Sequence, residues 1–134
     1  MTLINLTHHP ATSWTQHQRT AAQRLAPPEA TLTLVDQPFP QVDPAATTEQ
    51  IDRLADDMAT DIATRYAPAT TIVHLQGEMT LTVALVARLQ GLGFRVVAST
   101  TQRIATDHGD GRRTLSFEFH GFRDYAPLYT SIVP

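Results

Sequence analysis

The chain contains no cysteine and no lysine. Without cysteine there is no disulfide, no thiolate metal site and no thiol nucleophile. Without lysine there is no Schiff-base chemistry and no P-loop lysine. All ten basic residues are arginine, so any cation that meets a phosphate is Arg or His. Long apolar runs are absent too. No stretch approaches the roughly 20 apolar residues that span a bilayer. The N-terminus has no basic head followed by an apolar run, so no signal peptide is expected, and the expected location is the cytoplasm. The first strand-to-helix turn has no GxGxxG, which argues against an ordinary dinucleotide-binding domain. No GxSxG elbow and no HExxH or HxH pattern occurs. Neither a metal nor a cofactor is therefore expected. The net charge of -3 argues against long-range attraction to duplex nucleic acid.

What is present suits one domain. The 134 residues, 42% of them hydrophobic, are enough for a single core. Leu3-Ile4-Asn5-Leu6 reads as a strand, and Thr31 to Val35 as a second. Thr15 stands three residues before Gln18, the spacing of a capping box, and opens a helix through Arg24. Thr47 and Gln50 repeat that spacing before Ile51, Leu54, Ala55, Met58, Ile62 and Tyr66, which fall at helical period. Thr71 to Leu75 is a continuous strand signal. Met79 to Gln90 is a helix stopped by Gly91 and Gly93. Phe94 to Ala98 is a fourth strand. Ile104 to Asp107 and Thr114 to Phe119 pair as a hairpin around His108-Gly109-Asp110-Gly111. The tail beyond Phe122, with Tyr125 and Tyr129, has no clear period.

Strands alternating with helices imply an α/β, Rossmann-like domain over residues 1–134. It has a mostly parallel sheet of about five strands, an antiparallel C-terminal edge and helices on both faces. Ligands in such sheets bind outside the carboxyl ends of the strands. Three polar stretches are expected there as loops: His8 to Trp14, Gln76 to Thr80, and Ser99 to Arg103. Glu78, opening the third helix, is either a first-turn acid facing the helix dipole or a functional carboxylate. Gly77 allows close approach or a positive φ, and Thr80 adds a hydroxyl. Adjacent residues on an extended chain point opposite ways, so one of His8 and His9 faces the site, and His9 before Pro10 is preferred. Trp14 either packs in the core or stacks on a base. Arg103 either pairs with an acid such as Asp107 or grips a phosphate. Arg123 and Tyr125 are further candidates in the tail.

Taken in order, Asn5-Leu6-Thr7, His9-Pro10, Trp14-Thr15 with Gln18, Pro38-Phe39-Pro40 with Val42-Asp43-Pro44, Gln76-Gly77-Glu78 with Thr80-Leu81, and Phe122-Arg123-Asp124-Tyr125 resemble the small ring nucleases of type III CRISPR systems and their CARF-like (CRISPR-associated Rossmann fold) relatives. The resemblance implies a homodimer that binds a cyclic oligoadenylate, most often cyclic tetra-adenylate, across a two-fold axis. It implies metal-independent attack of a ribose 2′-hydroxyl on the adjacent phosphate, which switches off signalling by the messenger. On that resemblance Glu78 or His9 would orient or deprotonate the 2′-hydroxyl, and Arg103 would steady the phosphorane. Thr7, Ser13, Trp14, Gln76, Gly77, Thr80, Thr100 and Arg123 would contact the ligand. Two alternatives stay open: a non-catalytic module that senses or sequesters the same nucleotide, and an unrelated Rossmann-like enzyme acting on a small nucleotide.

Overall fold

The computed structural model describes residues 1–128; Tyr129 lies outside them. The elements run β1 (Thr2–Leu6), α1 (Gln16–Gln23), β2 (Thr33–Asp36), α2 (Thr48–Arg65), β3 (Thr71–Leu75), α3 (Met79–Gly91), β4 (Arg95–Asp107) and β5 (Arg113–Asp124). They form one five-stranded sheet in the order β2-β1-β3-β4-β5. The first four strands in that order are parallel, and β5 runs antiparallel to β4.

The two central strands are covered on both faces. Leu3, Ile4, Leu6, Val73 and Leu75 are fully buried, which explains their near-continuous apolar runs. One face of the sheet packs on α2 and α3, through Ile51, Ala55, Ile62, Leu81, Leu85 and Leu89. The other packs on α1 and its leading turn, through Ala11, Trp14 and Ala22 against Leu3, Ile72 and Val97. Both capping boxes form: Thr15 with Gln18, and Thr47 with Gln50. Each helix start thereby has two of its free N–H groups satisfied by side chains. Among the described residues no helix is long and apolar enough to cross a membrane.

The stretch Ser99 to Arg103 departs from the sequence expectation. It is not a loop but the middle of a 13-residue strand. β3 supports β4 only from Arg95 to Val97, and β4 and β5 then run on together as a ribbon from Thr101↔Phe119 to Asp107↔Arg113. The ribbon turns through Gly109 and Gly111, both at positive φ, as a tight hairpin requires. A register shift between Thr100 and Thr101 leaves His120 as the extra residue of a bulge. Arg123, expected in the tail, sits in β5 opposite Ala98.

Candidate functional site

The strand order reverses between β1 and β3, because α1 leads the chain one way to β2 and α2 leads it back past β1 to β3. A crevice opens outside the carboxyl ends at such a point. A cavity of about 510 Å³ is found there, lined by Thr7, His8, His9, Ser13, Trp14, Gln18, His74, Gln76, Gly77, Ser99 and Thr101. Its size lies within the usual range for small-molecule sites. Among the described residues no carboxylate lines it.

A row of side chains that crosses four strands supports it, reaching the lining at Thr7, His74, Gln76 and Ser99. Asn5 stands opposite Asp36 on one side and His74 on the other. Asn5 Nδ2 donates to Asp36 Oδ1 at 2.9 Å and to the His9 carbonyl at 2.8 Å. Asn5 Oδ1 lies 2.9 Å from His74 Nδ1 and 3.0 Å from Thr7 Oγ1. Asp36 also accepts the Ala11 N–H, which ties the loop after β1 to β2. His74 Nε2 lies 3.1 Å from Gln76 Oε1. The Gln76 amide then grips Ser99 from three directions: Nε2 donates to the Ser99 carbonyl, and Oε1 accepts from Ser99 N and Oγ. This side-chain amide acts as one more rung where the β3–β4 backbone ladder has ended. The row ties β2, β1, β3 and β4 together at their carboxyl ends.

His74 is 4% exposed. Its ring stands 5.7 Å from that of Trp14 and 5.1 Å from that of Phe122. Burial lowers its pKa to about 4, against a smaller upward pull from Gln76. The imidazole in the cavity lining is therefore neutral at pH 7.

The matched family is described as the Uncharacterized protein MJ1673 family, and its model covers residues 1–123, from β1 nearly to the end of β5. The chain belongs to this family. No curated protein and no solved structure matches it.

In this MJ1673-family protein the sequence-derived candidates divide. Thr7, His9, Ser13, Trp14, Gln76 and Gly77 converge on the cavity. His8 does so as well, against the expectation that one histidine of the pair would face away. The chain bends at Thr7, whose Oγ1 accepts the His9 N–H at 3.1 Å, so the alternation of an extended strand does not apply. Trp14 is buried, so it packs as well as lining the site. Gly77 has no positive φ; what it allows is close approach by Phe39, whose ring a Cβ at that position would strike.

The rest stand elsewhere. Glu78 caps α3: its carboxylate accepts from Thr80 N at 3.0 Å and Leu81 N at 2.8 Å, with Thr80 Oγ1 at 2.8 Å from each oxygen. These bonds, that of Leu81 first, hold its pKa below the ordinary carboxylate value. Glu78 and Thr80 do not line the cavity. Thr100 donates to the Gly121 carbonyl across the β4–β5 pair. Arg103 lies farther out on the ribbon, opposite Phe117. Among the described residues it has no hydrogen-bond or ion-pair partner, Asp107 included. The sequence alone gives Asn5, Asp36, Gln18, His74, Ser99 and Thr101 no individual role in contacting a nucleotide. A histidine within Thr71-Ile72-Val73-His74-Leu75 was the available signal, since an imidazole inside a buried strand must find partners.

Proposed function

We propose that the crevice at the β1/β3 reversal binds a cyclic oligoadenylate, with cyclic tetra-adenylate the first candidate, and that the protein is a ring nuclease acting in the cytoplasm. The observation that carries this reading is the cavity's lining. Among the described residues an indole, three imidazoles, two amides and four hydroxyls face it, and no carboxylate does. Aromatic rings receive bases, amides and hydroxyls read base and sugar edges, and the missing carboxylates spare the phosphates repulsion. The motif resemblance, which includes Gln76-Gly77-Glu78, points to the same ligand.

The chemistry follows from the ligand. The ribose 2′-oxygen attacks the adjacent phosphorus, the bond to the 5′-oxygen of the next nucleotide breaks, and a 2′,3′-cyclic phosphate remains. The 2′-hydroxyl gives up its proton and the leaving oxygen gains one. His8 and His9 are the groups at the cavity able to take and give those protons. Holding the 2′-oxygen in line with the leaving oxygen supplies much of the rate. Because the ribose brings its own nucleophile, the step is written without a metal.

A second reading, binding without cleavage, is favoured by the engagement of Glu78 as a cap and by the position of Arg103 outside the cavity. Incubation with radiolabelled cyclic tetra-adenylate in EDTA tests both. Linear products that His8→Ala or His9→Ala suppress support cleavage. Retention of intact ring on the protein supports the second reading. Neither binding nor products would defeat both and leave a small-nucleotide enzyme of another kind.

A further inference from the structure

Four of the largest exposed apolar side chains form two patches that one chain cannot bring together. Met79 and Val83, 79% and 57% exposed, lie one turn apart on α3. They border a shallow depression with Ala84, Ala87, Asp52 and Arg88. Leu115 and Phe117, 47% and 68% exposed, alternate onto the same side of β5 as Phe119. Phe119 meets His17 of α1, their rings 5.3 Å apart. The ribbon's apolar stripe is therefore on the α1 side of the sheet, and the Met79–Val83 patch is on the opposite side with α2 and α3.

The ribbon calls for a partner on physical grounds. Two strands alone are marginally stable in water, and large adjoining apolar side chains left in solvent mark an interaction surface. Charge indicates which surface. Arg103 shares the face of Phe117 and has no ion-pair partner among the described residues. On the α3 patch, Arg88 serves two acids: its Nε is 2.5 Å from Asp56, while Asp52 is 3.5 Å from Nη2. Asp52, half exposed, is thus short of a close cation. Each chain carries an apolar patch beside a free cation and an apolar patch beside an under-neutralised acid. A two-fold axis satisfies both contacts at once and closes the assembly.

We propose that two copies pair with the β4–β5 ribbon of each laid over the α3 face of the other, Leu115 and Phe117 on Met79 and Val83, and Arg103 toward Asp52. This deepens the two-fold nucleotide reading above, on which it rests for bringing the carboxyl ends of two sheets together.

Sedimentation velocity at micromolar concentration, without nucleotide, tests it on the full chain. Wild type sediments as a dimer. Phe117→Ser and Val83→Ser each weaken the dimer by ~tenfold or more, as expected for central interface anchors, with unchanged far-ultraviolet circular dichroism. Arg103→Asp and Asp52→Arg each weaken it, and the two together restore it. Because the chain lacks cysteine, mixing Leu115→Cys protein with Val83→Cys protein gives a disulfide that can arise only between copies. A monomeric wild type, a charge swap without restoration, or the absence of the mixed disulfide overturns the proposal. A monomer that still cuts the ring defeats this interface and leaves the nucleotide reading standing. A ribbon-dependent dimer that ignores the nucleotide does the reverse.

Discussion

Nδ1 of His74 lies 2.9 Å from Oδ1 of Asn5, across the seam where the strand order reverses. Asn5 Nδ2 is committed to two acceptors, His9 O and Asp36 Oδ1, so Oδ1 is the atom that faces the ring and Nδ1 carries hydrogen. The other nitrogen faces Gln76 Oε1, an oxygen whose identity follows from the Ser99 N–H that donates to it. A neutral imidazole has one hydrogen for these two acceptors. A proton would satisfy both, yet burial against Trp14 and Phe122 outweighs that gain.

Stability therefore depends on pH through His74. Its folded pKa of about 4 lies below the ordinary 6.5, so the unfolded chain binds the proton more readily. Stability from this group is complete above pH 6.5, falls as pH drops toward 4, and is level below that. The total is about 3 kcal/mol at about 1.4 kcal/mol per pH unit. Urea unfolding between pH 7 and pH 4 measures it, and His74→Gln flattens the profile. An unchanged slope in the variant would contradict the assignment.

Gly77→Ala drives a methyl group into the buried Phe39 ring. Overpacking of this kind costs about 1–3 kcal/mol. Adding Phe39→Leu recovers part of the loss, because the neighbour that clashes is removed. A Gly77→Ala protein with the wild-type urea midpoint would show that Phe39 moves freely.

Glu78 can be tested as a cap separately from any chemical role. Glu78→Ala removes the acceptors of the Thr80 and Leu81 N–H groups and lowers the melting temperature. Glu78→Ser restores a capping oxygen without a carboxylate and melts close to wild type. If Glu78→Ser still cuts the nucleotide, the carboxylate is not the general base. Since the folded pKa is depressed, the stabilisation is present above the ordinary carboxylate range and is lost as pH falls through the folded value.

Tyr125 anchors the chain leaving β5. Its hydroxyl donates to the Leu75 carbonyl at 2.7 Å, directly before Gln76. Tyr125→Phe leaves that carbonyl short of a donor and costs about 1 kcal/mol. Hydrogen exchange at Gln76 and Gly77 should accelerate in the variant relative to the amides of α2. Equal protection would mean that the tail does not hold the loop.

Much of the secondary structure was legible because its causes are local. Thr15 with Gln18 and Thr47 with Gln50 cap helices through groups three residues apart, and Gly109 and Gly111 mark a turn by φ alone. The run through Ser99, Thr100 and Thr101 misled because its residues are polar on both sides. A ribbon that leaves the core has no buried face to impose alternation, and its strand character comes from pairing with β5.

The site was half legible. Short motifs placed His9, Trp14 and Gln76 at strand ends, since alternating strands and helices put polar turns there. What the sequence by itself determined was the kind of fold and the edge of the sheet at which a ligand would sit. Only the tertiary structure decided which residues meet. Asp36 lies 31 positions from Asn5, and His74 lies 69; they become neighbours because the strand order sets β1 between β2 and β3. It also turned Glu78 back onto its own helix and carried Arg103 out along the ribbon, since free N–H groups claim a nearby carboxylate and a paired strand continues as long as its partner does.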